Sequence, residues 1–558
     1  MPPAASPNPP GLTESAQTWP SRRCKAAGPP TRREILLGGL GIALAGCSTS
    51  PEPPKRPNIL FAFSDDQSYP HAGILGDPVV KTPVFDSVAR EGVLFTHSFA
   101  ACPSCTPSRA SVLTGRQMWQ TGEGGVLNGT LDPRYPLFTH LIQDAGYYVG
   151  FSGKGFSPGD SKAGGVKRPP LGAEYNEILV DNPAPGIDKR DYAKNFEAFL
   201  ADRQADSPFF YWFGSTEPHR DYEPGIGRRS GMNIEDVLVP PYFPDAEEVR
   251  EEILDYYYEI QHFDMQLGRM LAKLEELGEL DNTIVVVTSD NGMPFVRTKT
   301  TLYDGGVRMP TAVRWGTEAP AERVVDDFIS HIDFAATFLE AAGLDIPVEF
   351  TGRSLMPLLK TDREGRIEDE RDHVVTGLER HTWCRPDGAG YPIRAIRTHD
   401  YLYIRNFDPD RWPTGDPDFT SSNKTPYGDI NDGLMKDFML LPETRRNFPR
   451  EYQLSIGKRP AEELYVIASD PHQIDNKAED PELAPVKEKL RAQLESYLKE
   501  TGDPRMKGRD PWQGYVYRQE EGYGATFNRS LSAEERQAAL SRGKHAVGHA
   551  EEVTGIKN

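Results

Sequence analysis

Four short apolar runs, each breaking off into polar residues, constrain this chain most. They are NILFAF from Asn58, YYVGFSG from Tyr147, PFFYWFG from Pro208 and NTIVVVTS from Asn282. Their length and their aromatic and β-branched content predict strands buried on both faces. Between them lie segments such as VFDSVAREG from Val84, and a long stretch from Glu251 to Leu280 with apolar residues recurring every three or four positions. Strand-helix alternation of this kind predicts an α/β fold around a large, mostly parallel sheet flanked by helices. In such sheets ligands bind beyond the carboxyl ends of the strands. The first run delivers Asp65 and Asp66 there, the second Lys154, the third His219 and Arg220, and the fourth Asp290 and Asn291.

Taken singly, an Asp pair after a strand reads equally as a turn or a helix cap. Taken together, Asp65, Asp66, Asp290 and Asn291 form an all-oxygen set, and adjacent carboxylates repel unless a cation lies between them. Hard oxygen ligands suit Ca²⁺ or Mg²⁺ better than zinc. Cys105 opens a predicted helix in CTPSRASVLTG, where free backbone N–H groups favour an anion or a polarised oxygen. The residue alone leaves two plainer readings open, a small buried apolar group or a Cys102–Cys105 disulfide.

The remaining features bound the surroundings. A formal net charge of −20 over 558 residues disfavours nonspecific nucleic-acid binding and confines any anion site to a local basic pocket. Residues 1–47 read as an export signal. Arg32 and Arg33 precede an apolar run from Ile35 to Ala45, and LAGC has the form of a lipobox that would place a lipid on Cys47. An ordinary cleaved signal is the alternative, and no other window is long and apolar enough to cross a membrane. The expected location is the periplasm or surface of a bacterial cell, with a lipid anchor on the membrane. Residues 48–57 form a proline-rich tether. Of the five cysteines, Cys24 leaves with the signal, and Cys102, Cys105 and Cys384 are an odd number, so this is no disulfide scaffold. After a catalytic region over 58–372, residues 373–505 read as a smaller α+β unit. A short antiparallel sheet is predicted from strands around His399-Asp400 and in EELYVIAS, followed by a charged helix from Pro481 to Glu500. Residues 409–460, rich in Pro, Asp, Asn and Gly, read as loop, and 506–558 as a polar extension.

CTPSR at Cys105, followed by LTGR at Leu113, closely resembles the signature of the sulfatase family, within the alkaline phosphatase superfamily. DDQ at Asp65, GK at Gly153, PH at Pro218, SDNG at Ser289, KTTLYDGGVRMP at Lys299, GRSLMPLL at Gly352 and ELYVIASDP at Glu463 follow in family order, from about Asn58 to about Thr501. The resemblance implies that a maturation enzyme oxidises Cys105 to Cα-formylglycine. It also implies that a divalent cation, Ca²⁺ ahead of Mg²⁺, is held by Asp65, Asp66, Asp290, Asn291 and the modified Cys105. It assigns Arg109 to orienting the hydrated aldehyde, Lys154 and Lys299 to the sulfate oxygens, and His219 to the departing group as an acid. The family histidine two residues after the first lysine is Phe156 here. The branch resembled contains heparan N-sulfatase and bacterial glycan sulfatases, so the implied substrate is a sulfated carbohydrate. Lys299 stands where the N-sulfatase has arginine. Arg220, Arg380 and His381 are candidate substrate contacts. Rival readings are a phosphonate monoester or phosphodiester hydrolase of the same superfamily, a non-catalytic glycan-binding surface lipoprotein, and a phosphatase using Ser104 or Thr106.

Overall fold

The computed structural model describes residues 55–418 and 426–518. The export signal with Cys47, most of the tether and the tail from residue 519 lie outside them. All four apolar runs are strands of one eight-stranded sheet: β1 (Asn58–Ser64), β2 (Val93–Phe95), β3 (Tyr148–Gly153), β4 (Ala173–Glu174), β5 (Phe209–Gly214), β6 (Thr283–Ser289), β7 (Thr311–Arg314) and β8 (Arg323–Val325). Their order is β4-β3-β5-β1-β6-β7-β2-β8. Only β7 runs against its neighbours. The predicted mostly parallel sheet flanked by helices is therefore the fold.

The sheet is apolar on both faces because helices cover both. On one face Phe61, Phe63 and Trp212 meet Val112 and Leu113 of the helix Cys105–Thr114 and Phe334 and Phe338 of the helix Asp333–Ala341. On the other, Leu60, Tyr211 and Phe213 pack with Phe196 of the helix Tyr192–Asp202 and with Phe263, Leu267 and Met270 of the long helix Glu247–Glu276. No helix among the described residues is long and apolar enough to cross a membrane.

The second sheet is antiparallel, in the order β9 (His373–Leu378), β10 (Ile393–Thr398), β11 (Tyr401–Asn406), β12 (Glu462–Val466). Leu490, Leu494 and Leu498 of the helix Ala484–Glu500 pack into its core, which also takes in Phe99, Cys102, Met118 and Trp119 from the first half of the chain. Both sheets thus belong to one compact unit.

The segment read as loop contains three helices, Leu434–Leu440, Pro442–Asn447 and Pro449–Ile456. The first is fixed from outside: Glu252 accepts the N–H groups of Leu434 at 2.9 Å and Met435 at 2.6 Å, and Met435 and Met439 are fully buried. The start of the polar extension also folds, with Trp512 only 2% exposed.

Arg394 ties this second half together. Wholly buried, it pairs with Glu379 at 2.6 Å and Asp503 at 2.7 Å, between the rings of Trp119 and Trp512. Glu379 keeps a second partner in Arg505, but Asp503 has no other cation among the described residues. We expect Arg394→Leu to destabilise the fold by about 3–5 kcal/mol, the cost of leaving a buried charge unpaired. The shift in denaturant midpoint at unchanged slope measures it.

Candidate active site

The register of the central strands sets the site. Ser64 lies opposite Ser289 and Phe63 opposite Gly214, while Gly153 pairs with Gly214 on the next strand. The strands therefore end together, and the residues beyond their carboxyl ends emerge at one edge. Two glycines permit the close approach. A Cβ on Gly214 would lie 2.0 Å from the Lys154 carbonyl oxygen, and one on Gly292 would lie 2.0 Å from that of Gly305. Asp66 adopts a left-handed backbone with φ of 71°, uncommon for a residue with a side chain. It is held there by its N–H donating to Asp290 Oδ1 at 3.1 Å and by the Tyr256 hydroxyl donating to its carbonyl at 3.2 Å.

Cys105 is the first residue of its helix, as predicted, and all ten residues of that helix are buried. Gly115, with φ of 61°, terminates it in a left-handed cap. The Cys105 thiol lies 3.6 Å from Asp65 Oδ1 and 3.9 Å from Lys299 Nζ. It is not packed as an apolar group. It forms no disulfide, since Cys102, Cys105 and Cys384 are all free.

One ligand atom each from Asp65, Asp66, Cys105 and Asp290 falls within 4.8 Å of the others. Donors arranged around a Ca²⁺ ion at about 2.3–2.6 Å span at most about 5 Å, so these residues fit around one such ion. Two further observations agree: Oδ2 of Asp66 and Oδ1 of Asn291 are buried without a hydrogen-bond partner. The misfit is the sulfur, a soft donor among hard oxygens.

Cations surround the carboxylates. Arg109 binds Asp290 through Nε and Nη2, each at 2.9 Å, and donates from Nη1 to the carbonyls of Lys154 at 2.5 Å and Gly155 at 2.9 Å. It thus fastens the end of β6 to the loop after β3. Lys154 pairs with Asp65, and Lys299 with Asp66. Burial pushes both carboxyls up, but Lys154 at Asp65 and Lys299 at Asp66, with His219 behind each, hold them below the ordinary range. Burial pushes the Cys105 thiol up to about 12, against the pull of the two lysines.

Above this floor lies a cavity of about 220 Å³. It brings together Cys105, Lys154, His219, Lys299 and His381, five residues singled out in the sequence. His219 donates from Nδ1 to the Arg220 carbonyl at 2.7 Å, which leaves Nε2 free, 3.9 Å from Asp66 Oδ2. His381 Nδ1 bonds the Ser104 hydroxyl at 2.8 Å. Thr106 accepts the Asn128 N–H at 3.2 Å. Arg220 points elsewhere: it pairs with Glu252 and stacks between Tyr222 and Phe295. Arg380 is also buried outside the cavity, donating to the Trp512 carbonyl at 3.4 Å and lying over Trp383. Asn128 and Tyr517 line the cavity, and sequence reasoning missed both. Neither carries a local signal, for one sits in a short turn and the other in the polar tail.

The sulfatase family profile matches residues 57–344, just over half of the chain. The chain belongs to the sulfatase family. It is a sulfuric ester hydrolase of the alkaline phosphatase superfamily, and a profile for the C-terminal part of N-sulphoglucosamine sulphohydrolase also matches, over residues 296–416. The sulfatase is 28% identical to Homo sapiens N-sulphoglucosamine sulphohydrolase, with 80% of this chain and 91% of that protein covered. Among solved structures it superposes on BT4656 in complex with its substrate D-glucosamine-2-N,6-O-disulfate, with a TM-score of 0.58 at 21% identity, covering 83% of this chain and all of that one. It also superposes on a phosphonate monoester hydrolase of Agrobacterium radiobacter, with a TM-score of 0.57 at 19% identity, over 80% and 96% of the two chains. At such identities these two likenesses show the fold alone. Phe156 of the sulfatase is 7% exposed and packs in the main core, so no acid or base replaces the family histidine at that position.

Proposed function

We propose that this sulfatase removes sulfate from a sulfated glycan, using residue 105 as formylglycine and a divalent cation. The observation that carries the reading is the cavity floor: a metal-sized nest of three carboxylates and Cys105, with two lysines facing it. The sulfur misfit supports the modification, because a hydrated aldehyde puts oxygen where the hard donor set needs it. The substrates that the similar human enzyme and BT4656 are named for, both sulfated glucosamines, support the substrate class.

Each residue has its own task. Asp65, Asp66, Asp290, Asn291 and residue 105 hold the cation, Ca²⁺ ahead of Mg²⁺. When bound, that ion supplies positive charge that acidifies the attacking hydroxyl and offsets charge on sulfate. As a hydrated aldehyde, residue 105 would supply a hydroxyl that loses its proton on bonding to sulfur, while the sulfur–oxygen bond to the sugar breaks and the sugar oxygen takes a proton. Its second hydroxyl would supply the release step, in which loss of the proton breaks the carbon–oxygen bond, frees sulfate and leaves an aldehyde for water to rehydrate. Lys154 and Lys299 receive the sulfate oxygens. His219 delivers the proton from Nε2, since Nδ1 is committed to a backbone carbonyl. Arg109 positions Asp290 and the Lys154 loop. We also place the mature protein outside the cytoplasm, tethered by lipid on Cys47, on the strength of the leader sequence alone, with the catalytic region at 58–372 and the C-terminal unit at 373–505.

A panel of glucosamine 6-O-sulfate, glucosamine N-sulfate and an aryl phosphonate tests the reading. We expect release of sulfate from at least one sugar, with kcat/KM at least about 100-fold above that for the phosphonate. Preference for the phosphonate establishes the rival hydrolase. Binding of sugars without release, in protein from its native host, establishes the glycan-binding reading.

A further inference from the structure

We infer that the segment 506–518 carries Tyr517 into the wall of the active-site cavity and that Tyr517 is a specificity-determining residue for the sugar ring that bears the sulfate. The inference rests on the proposed glycan sulfatase reading of the cavity. This segment lies beyond the end of both family matches, at residues 344 and 416. It nonetheless folds back over the catalytic region at several points. Trp512 is buried against the Arg394 guanidinium, 5.7 Å away, and its carbonyl accepts from Arg380. Gln513 donates to the Asp387 carbonyl at 3.1 Å. Arg518 pairs with Glu123 at 2.6 Å.

With anchors on both sides, Tyr517 reaches the cavity that holds Cys105, Lys154 and Lys299. Its ring lies 6.3 Å from that of Trp383, and Asn128 lines the same cavity. His381 and Thr382 line the cavity as well. The cavity therefore has two chemistries. The floor presents Lys154 and Lys299 and suits the sulfate. The rest of the wall sets amide, phenol, hydroxyl and imidazole groups beside the apolar Leu127, Pro158 and Ile430, and no carboxylate among the described residues lines it. A wall of that kind matches the hydroxyl and amide groups of a sugar ring, which can donate to and accept from Asn128 and Tyr517. A simple aryl sulfate engages the floor but offers that wall no hydrogen-bond donor.

The test compares kcat/KM for a sulfated glucosamine with that for 4-nitrophenyl sulfate, in the full chain carrying Tyr517→Phe, Tyr517→Ala or Arg518→Ala. We expect the sugar-to-aryl ratio to fall about tenfold in Tyr517→Ala and about threefold in Tyr517→Phe, the range expected for a lost hydrogen bond. The change should appear in KM for the sugar. Arg518→Ala, which frees one anchor, should move the ratio the same way. Should Tyr517→Ala fail to fold, Tyr517→Phe carries the test, because it removes one oxygen and keeps the ring. A wild-type enzyme that desulfates both substrates, with a ratio unmoved in every folded variant, overturns the role of Tyr517 alone. A wild type that desulfates neither overturns the glycan sulfatase reading and this inference with it.

Discussion

Replacing Cys105 by alanine is expected to lower sulfate release by about 10⁴- to 10⁶-fold, the usual cost of deleting a nucleophile that starts a covalent pathway. The size of the effect comes from the site. Lys154 and Lys299 are held in ion pairs, Ser104 is bonded to His381, and Thr106 is occupied by the Asn128 N–H. Neither Ser104 nor Thr106 lines the cavity, so neither flanking hydroxyl is placed to take over. Alanine is well tolerated in the first turn of a helix, and the thiol makes few contacts that alanine would lose. The melting temperature should therefore stay within a few degrees of wild type while turnover disappears. Activity within tenfold of wild type would remove residue 105 from the chemistry and revive a hydroxyl nucleophile.

The second large effect is expected on removing divalent cations. Treatment with a chelator should abolish at least about 99% of the activity, and Ca²⁺ should restore it more fully than Mg²⁺. Stability should fall in parallel. A ligand present at 100 to 1,000 times its dissociation constant stabilises the native state by about 3–4 kcal/mol, and that contribution goes with the metal. The loss is bounded because the nest is not left as bare negative charge. Arg109, Lys154 and Lys299 each pair with one of the three carboxylates. Titrating Ca²⁺ back while tracking both turnover and melting temperature separates a catalytic ion from a purely structural one. Full turnover in excess chelator would contradict the proposed cofactor.

The part of the site carried on strand ends was legible because strand geometry is local. Apolar runs of six to eight residues announce where each strand stops, and Asp65, Lys154, His219 and Asp290 come soon after. Tertiary contacts hid the rest. Arg220 adjoins His219 in sequence, and nothing in the chain nearby reveals that Glu252 draws its guanidinium away from the cavity. The same Glu252 caps the helix at Leu434, across 182 positions, turning a segment with the composition of a loop into helix. Tyr517 belongs to a tail whose polarity masks one buried tryptophan, and that tryptophan is what returns the chain to the site.

The helix that begins at Cys105 buries all ten of its residues, and Cys105 itself is 3% exposed. Under the proposed formylglycine reading, that burial would set a biosynthetic order. An oxidising enzyme would have to reach a thiol that the folded protein withholds, so conversion would have to finish while the polypeptide is still nascent or loose. Molecules that collapse first would be lost to catalysis, and the active fraction of a preparation would record a race between maturation and folding.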